Sequence, residues 1–324
     1  MIANTPEGPY SDALNKPLLH EALTEGKEFD PTLFIDDDPG KSPYIIFGYK
    51  RRGGYFIAKL NEDMVSLAEA PKKLVLMNDF DKPVDKNYLH KRGSIYYLSA
   101  GGFYYTSNDV YGPYHYQGML GAGHGLGPFS HGSFLNHQEQ WFHVWTRYLD
   151  RSHNKYRESM ITYAHYTDDG KLISDTHYLD LHKAWGVGRY NAHWPLLEAE
   201  WFYQGQSIKK TFTPELSNGF GVSFEKGGSS ITFQRVENLS EYNVLTLGFL
   251  GLPNKMIEKN FIIRDSENRF LSHCKKSKSI ASRGRFEMSC DLNGLRQQTI
   301  TIHANFKAHP KLDEKVVLDW LKFQ

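Results

Sequence analysis

Short runs of alternating or continuously apolar residues, closed off by glycine, proline and acidic turns, recur through the first half of the chain. Leu33-Phe34-Ile35 leads through the turn Asp36-Asp37-Asp38-Pro39-Gly40 to Tyr44-Ile45-Ile46-Phe47-Gly48 and then to Tyr55-Phe56-Ile57-Ala58-Lys59-Leu60. This spacing predicts three antiparallel strands with tight connections, and the acidic run reads as a solvated turn with no chemical role. The same text returns as Tyr88–His90, Ile95–Ser99 and Phe103–Thr106, and again as Phe134–Asn136, Trp141–Trp145 and Met160–Tyr163. The three starts lie about 50 residues apart, a period of three to four strands that predicts propeller blades. Gly8-Pro9-Tyr10 is echoed by Gly112-Pro113-Tyr114. The chain therefore reads as entering on the outside of a blade.

After about Leu181 the pattern changes. Eight short runs (Leu197–Tyr203, Phe220–Phe224, Ser230–Val236, Asn243–Phe249, Phe261–Arg264, Arg285–Cys290, Gln298–Ala304 and Val316–Phe323) are separated by polar turns and predict a β-sandwich. The boundary is placed at 183–195, between a propeller over 1–182 and a jelly-roll-like sandwich over 196–324. Glu198 and Glu200, two residues apart in one predicted strand, are expected on the same face.

Composition narrows the function. With 38 Lys+Arg against 37 Asp+Glu in 324 residues, the formal charge is +1, so no global field recruits nucleic acid or an anionic membrane. No apolar run reaches the ~18 residues of a membrane span. Cys274 and Cys290 are too few for a disulfide scaffold or a thiolate zinc site, though one bridge is open to them. Met1–Tyr10 has neither a basic start nor an apolar core, so no signal peptide is read there. The loop Gly121-Ala122-Gly123-His124-Gly125-Leu126-Gly127 lacks the Lys-Ser/Thr of a phosphate-binding loop.

Four segments, Asp30–Asp38, Leu89–Ser99, Thr106–Tyr114 and Ser130–Phe134, resemble glycoside hydrolase family 43 in order and separation over residues 1–182. The resemblance implies an all-β fold: a five-bladed propeller, here short of its first one to two blades. It implies an inverting α-L-arabinofuranosidase or β-xylosidase acting on arabinose- or xylose-containing plant polysaccharide or oligosaccharide, in a family usually exported. Inverting hydrolysis needs an acid to protonate the leaving oxygen and a carboxylate base to activate water, some 6.5–9.5 Å apart. By resemblance, Asp30 matches the carboxylate that tunes the acid's pKa. Asp85 stands at the general-acid position, where the family has Glu, and is followed by Lys86 and Asn87 in place of a small residue and Pro. The general base belongs upstream of Asp30, on a segment this chain lacks, and Asp12 is a poor substitute. His131 matches a histidine near the propeller axis that faces a central cation through water. Arg147 stands where relatives place a substrate-contacting arginine. Tyr88, Phe103 and Trp145 can stack on sugar rings, with core packing the plainer reading of each.

Leu197–Tyr203 and Val317–Phe323 resemble the first and last strands of carbohydrate-binding module family 6. That likeness implies a structural calcium held by Glu198, Glu200 and Asp319, with no cofactor required for the chemistry. The module's sugar-stacking aromatics are not recovered, since Gly228-Ser229-Ser230 stands in their place. With the base missing, impaired turnover is expected. The alternatives are a non-catalytic carbohydrate-binding protein and a remnant of a longer enzyme.

Overall fold

The computed structural model describes residues 1–324 except 21, 79–85, 122–129, 149–156, 176–185, 225–226, 252–259, 278–283, 296–297 and 305–315. Asp85 and His124 lie outside the described residues. The described fold is all-β, and none of its helices is long and apolar enough to cross a membrane.

The predicted strand triplets become three sheets. In the first, β1 (Thr32–Ile35), β2 (Pro43–Tyr49), β3 (Gly54–Lys59) and β4 (Lys72–Lys73) pair antiparallel in chain order. The second is built from β5 (Leu76–Met77), β6 (Asn87–Arg92), β7 (Ile95–Ala100), β8 (Phe103–Ser107) and β9 (Tyr114–Met119). Its order is β5-β9-β8-β7-β6, with β5 parallel to β9 and the rest antiparallel. The third runs in chain order through β10 (Gly132–His137), β11 (Gln140–Tyr148), β12 (Arg157–Tyr166) and β13 (Leu172–Ser174).

Alternation explains which faces close. Tyr44, Ile46, Tyr55 and Ile57 of the first sheet share one buried cluster with Leu89, Leu98, Phe103 and Tyr105 of the second. Phe103, read as a candidate sugar platform, is thereby a core residue, 8% exposed. Asp36 corrects a second expectation. It is only 5% exposed, and its carboxylate accepts hydrogen bonds from Lys91 Nζ at 2.7 Å and Tyr96 Oη at 2.6 Å. The turn is thus solvated only in part, because β6 and β7 bring donors to its first acid. The Gly-Pro-Tyr echo is structural as well. Gly8 and Gly112 sit at φ of 88° and 91°, and each tyrosine hydroxyl donates to the carbonyl four residues back, at 2.5 Å to Pro6 and 2.9 Å to Val110.

The remaining strands are β14 (Tyr190–Asn191), β15 (Leu197–Glu198), β16 (Gln204–Gln206), β17 (Ile208–Phe212), β18 (Phe220–Phe224), β19 (Ser229–Phe233), β20 (Val236–Glu237), β21 (Val244–Leu250), β22 (Phe261–Arg264), β23 (Phe270–His273), β24 (Lys275–Lys276), β25 (Arg285–Asp291), β26 (Ile300–Ala304) and β27 (Val317–Phe323). One sheet has the order β17-β18-β27-β21-β25-β24, with β15 on β27; the other has β16-β19-β26-β22-β23. Leu245, Leu247, Phe249 and Leu318 of the first meet Ile231, Phe233, Ile263 and Ile302 of the second in one core. Cys274 and Cys290 form a disulfide across Cα atoms 4.2 Å apart, which closes the question the sequence left open.

One predicted strand is cut short. β15 ends at Glu198, and Ala199–Trp201 form a 3-10 turn, so Glu198 and Glu200 do not alternate along a strand. The chain divides into two compact units, Met1–Ser133 with Val144–Met160, and Phe134–His143 with Ile161–Gln324. Strands β10, β11 and β12 each contribute residues to both units.

Candidate functional site

In the first unit a cavity of about 520 Å³ opens where β1 starts, lined among others by Asp30, Lys86, Tyr88, His131, Gly132 and Trp145. Three of the predicted site residues, Asp30, Tyr88 and His131, therefore meet in one place, together with Trp145. Phe103 and Arg147 do not line it. Arg147 is partly buried, and its Nη1 has no hydrogen-bond partner among the described residues.

Asp30 precedes Pro31 and holds a φ of 48°, while Lys86, across the cavity, holds a φ of 40°. Side chains seldom adopt this left-handed region, and such strain gathers at functional sites. Lys86 Nζ stands 3.9 Å from Asp30 Oδ1. Asn87, which the sequence marked only as a departure from the family's proline, is the latch. It is buried, its Oδ1 accepts from Thr32 Oγ1 at 2.9 Å, and its Nδ2 donates to the Asp30 carbonyl at 3.4 Å. β6 thereby fixes the backbone on both sides of Pro31.

His131 Nε2 lies 2.6 Å from Arg157 Nη1. A guanidinium can only donate, so this nitrogen accepts and the ring is the neutral Nδ1–H tautomer. A cation already occupies that edge of the ring, which argues against a second one reached through the same nitrogen.

Gly132 explains why the Ser-His-Gly-Ser motif carries a glycine. A Cβ there would stand 2.2 Å from the Val144 carbonyl oxygen and 2.7 Å from Trp145 Cβ. Gly132→Ala should therefore push β11 off β10, at a cost of about 1–3 kcal/mol, and displace Trp145 from the cavity wall. Denaturant unfolding read by tryptophan fluorescence checks this; unchanged stability would mean the strands part freely.

In the second unit, Glu198 and Asp319 meet at Ser217 in the turn between β17 and β18, and Glu200 meets the next residue of that turn, Asn218. Ser217 Oγ lies 2.6 Å from Glu198 Oε2 and 2.7 Å from Asp319 Oδ1. A hydroxyl has one proton, so it cannot donate to both. Burial, with the charges of Asp319 and Asp175, pushes the Glu198 pKa up to about 7. The proton thus sits on Glu198, which donates to Ser217 Oγ, which donates to Asp319. Asp319 also accepts from Arg285 Nη1 at 2.7 Å. Glu200 is wholly buried; burial first, then the Glu198 charge, raise its pKa well above the ordinary carboxylate range. Its Oε1 accepts from Asn218 at 2.8 Å, and its Oε2 has no partner among the described residues.

Carboxylate oxygens are the ligand type a hard cation takes. Among the described residues, however, no three His, Cys, Asp or Glu side chains stand at metal-binding spacing, and Arg285 and Ser217 occupy Asp319.

A buried polar chain in the same unit escaped the sequence reading. Asp175 Oδ2 accepts from Trp201 Nε1 at 2.6 Å and from His165 Nε2 at 3.0 Å, and Lys210 Nζ donates to His165 Nδ1 at 2.8 Å. Its order resembles a catalytic relay, but none of its members lines the cavity around Asp30.

The sequence profile described as glycosyl hydrolases family 43 matches residues 1–172, more than half of the chain. The chain belongs to glycosyl hydrolases family 43. A β-D-galactofuranosidase of Aspergillus niger is 25% identical over 186 residues, covering 52% of each chain. A xylosidase/arabinosidase of Bacteroides ovatus is 30% identical over 80 residues, 20% of this chain and 25% of that protein. This chain thus spans about half the length, or less, of the curated relatives it matches. Among solved structures, a family 43 arabinoxylan arabinofuranohydrolase from Bacillus subtilis aligns over 99% of this chain and 73% of its own, at 19% identity and a TM-score of 0.46. A family 43 enzyme from Xanthomonas citri complexed with xylotriose aligns over 52% and 61%, at 26% identity and a TM-score of 0.44. TM-scores this low mark distant likeness only.

Proposed function

We propose that this family 43 member is a glycoside hydrolase acting on arabinose- or xylose-containing plant oligo- or polysaccharide, in the cavity around Asp30. The observation that carries the reading is the cavity itself: a carboxylate on a strained backbone, opposite aromatic walls, within the family-matched segment. The relatives' names, a galactofuranosidase and a xylosidase/arabinosidase, point to furanosides and pentosides. In this reading Asp30 orients the acid and tunes its proton affinity, Tyr88 and Trp145 bound the sugar ring, and His131 with Arg157 offers polar groups to its hydroxyls. Asp85 is assigned the acid's role.

The same proposal takes the three sheets as blades of the family's five-bladed propeller within 1–182, with 183–195 as linker. It takes 196–324 as a β-sandwich of the carbohydrate-binding module family 6 kind. Calcium would be held there by Glu198, Glu200 and Asp319, replacing the shared proton, and would serve stability rather than chemistry.

A second reading has one specific support. Asp30 is the sole carboxylate among the described residues lining the cavity, whereas inverting hydrolysis takes two. That favours sugar held without being cleaved. Hydrolysis of aryl α-L-arabinofuranoside and β-D-xyloside separates the two. Turnover that falls at least ~10²-fold in Asp30→Asn, and likewise in Asp85→Asn, supports the enzyme. Binding without turnover, lost in Tyr88→Ala, supports the binding protein. Turnover untouched by Asp30→Asn removes both readings of this cavity.

A further inference from the structure

The buried chain from Asp175 through His165 to Lys210 ends on an amide. Gln140 opens β11 and is 0% exposed; its Oε1 accepts from Lys210 Nζ and from the Trp141 backbone N–H at 3.2 Å. Two donors on one carboxamide oxygen draw electron density from the carbon it is bonded to, as an oxyanion hole does. The amide nitrogen is held as firmly. Gln140 Nε2 donates to the Glu200 carbonyl at 2.9 Å and to the Phe202 carbonyl at 2.7 Å. Both of its protons are thereby placed, which fixes which end of the amide meets the lysine.

Lys210, on the edge strand β17, brings an amine to this acyl group. Its Nζ also stands 2.8 Å from His165 Nδ1, 3.5 Å from the Ala164 carbonyl and 5.4 Å from the centre of the Phe202 ring. Burial first, then the Lys210 charge, hold the His165 pKa below its ordinary value, so the ring rests neutral with Nδ1 as acceptor. His165 Nε2 donates to Asp175 Oδ2 at 3.0 Å, which fixes that tautomer and sets a carboxylate against any imidazolium that forms. Trp201 Nε1 donates to the same oxygen at 2.6 Å and keeps the carboxylate in place. An amine, a base oriented by a carboxylate and a polarised acyl carbon are the parts that amide exchange needs. All of them lie in the second unit. Gln140 and His165 are both 0% exposed, so water, the competing nucleophile, is kept from the carbon.

We propose that Lys210 and Gln140 join in an isopeptide bond that the chain makes by itself, with His165 as the base. His165 Nδ1 takes a proton from Lys210 Nζ. The freed amine turns from Oε1 to the adjacent Cδ and forms the new C–N bond, while the oxyanion faces the Trp141 N–H. The imidazolium returns its proton to Nε2, the attacking nitrogen passes on a second, and the Cδ–Nε2 bond breaks with loss of ammonium. Of the three ammonium protons of lysine, one stays on the new amide and two leave with the NH2 group. Nothing is oxidised and no co-reactant enters. The bond ties β17, which pairs only with β18 in its sheet, to the start of β11. This modification goes beyond the proposed hydrolysis and does not depend on it.

Intact-mass measurement of the full chain, with Cys274–Cys290 oxidised, is the test. The folded protein is expected about 17 Da, one ammonia, below the mass of its sequence with that disulfide. Trypsin should fail to cut after Lys210 and should release one joined peptide carrying both Gln140 and Lys210. Lys210→Arg keeps a cation at Oε1 without the amine nucleophile, and should return the mass to its full value. His165→Gln should cut the converted fraction at least tenfold. Wild-type protein that keeps its full sequence mass overturns the proposal, whatever the variants do. So does a loss of the same size that maps to Asn218-Gly219, where closure to a cyclic imide also expels ammonia.

Discussion

Lys91→Met should lower the unfolding free energy by about 2–4 kcal/mol, the largest single loss expected in the first unit. The Asp36 carboxyl is buried, and burial alone would push its pKa up. The Lys91 ammonium, the Tyr96 hydroxyl and the Asp37 N–H together outweigh that, so it lies below the ordinary value of 3.8. Removing Lys91 leaves a buried negative charge with only the weaker donors. Asp36→Asn should cost less, since the amide keeps an oxygen for Tyr96 and leaves a cation that can reach Asp37 and water. The double variant should be less damaging than the two losses added together. Because the folded pKa is depressed, this stabilisation is in place above pH 3.8 and fades as pH falls through the folded value. Urea unfolding of the four proteins at pH 7 and pH 3 measures all of this, and a Lys91→Met loss below ~0.5 kcal/mol at pH 7 would refute it.

The acid cluster in the second unit should behave with the opposite sign. Glu198 keeps its proton in the folded protein up to about pH 7, while an unfolded glutamate loses it near 4.5. Between those values the folded state binds the extra proton, so metal-free protein should lose stability as pH rises from 4.5 through 7. Glu200, whose pKa burial raises well above the ordinary value, adds to that loss. Calcium, which takes the ionised form, should reverse the trend: at pH 8, calcium at 100 times its Kd adds about 2.7 kcal/mol over chelated protein. Glu200→Gln should flatten the pH dependence and abolish the calcium response without unfolding the chain. Thermal melts across pH 5–8, with calcium and with EDTA, decide it. A melting temperature that calcium leaves unmoved at pH 8 would remove the metal from the proposal and leave a proton-bridged acid pair.

Local patterning was enough for three strands in each of the first three sheets, and missed the outer strands β4, β5, β9 and β13. Tyr44 to Phe47 and Tyr55 to Ala58 carry their faces in their own sequence, and their turns are written in Asp, Pro and Gly. What failed was decided at a distance. Three consecutive aspartates look solvated until Lys91, 55 positions on, is brought to the first of them. The run from Leu197 to Tyr203 alternates like a strand, yet turns at Ala199 because Glu200 and Trp201 find their partners, Asn218 and Asp175, off the strand direction. Asp30 and His131 were singled out by resemblance to the family's motifs, and the fold brings both to the lining of one cavity. Asn87 was not, because its role is to hold a neighbouring strand, and nothing in its own segment announces that.

The Cys274–Cys290 bond bears on where this protein can be made. It closes a sequence separation of 16 residues between side chains that are each 1% exposed, so once folded it is shielded from small thiols. A loop of that size limits the unfolded chain by about 3 kcal/mol, stabilisation that a reducing cytosol would withhold during synthesis. Material produced in such a compartment would carry two buried thiols at the sheet edge and should unfold earlier than material oxidised before purification.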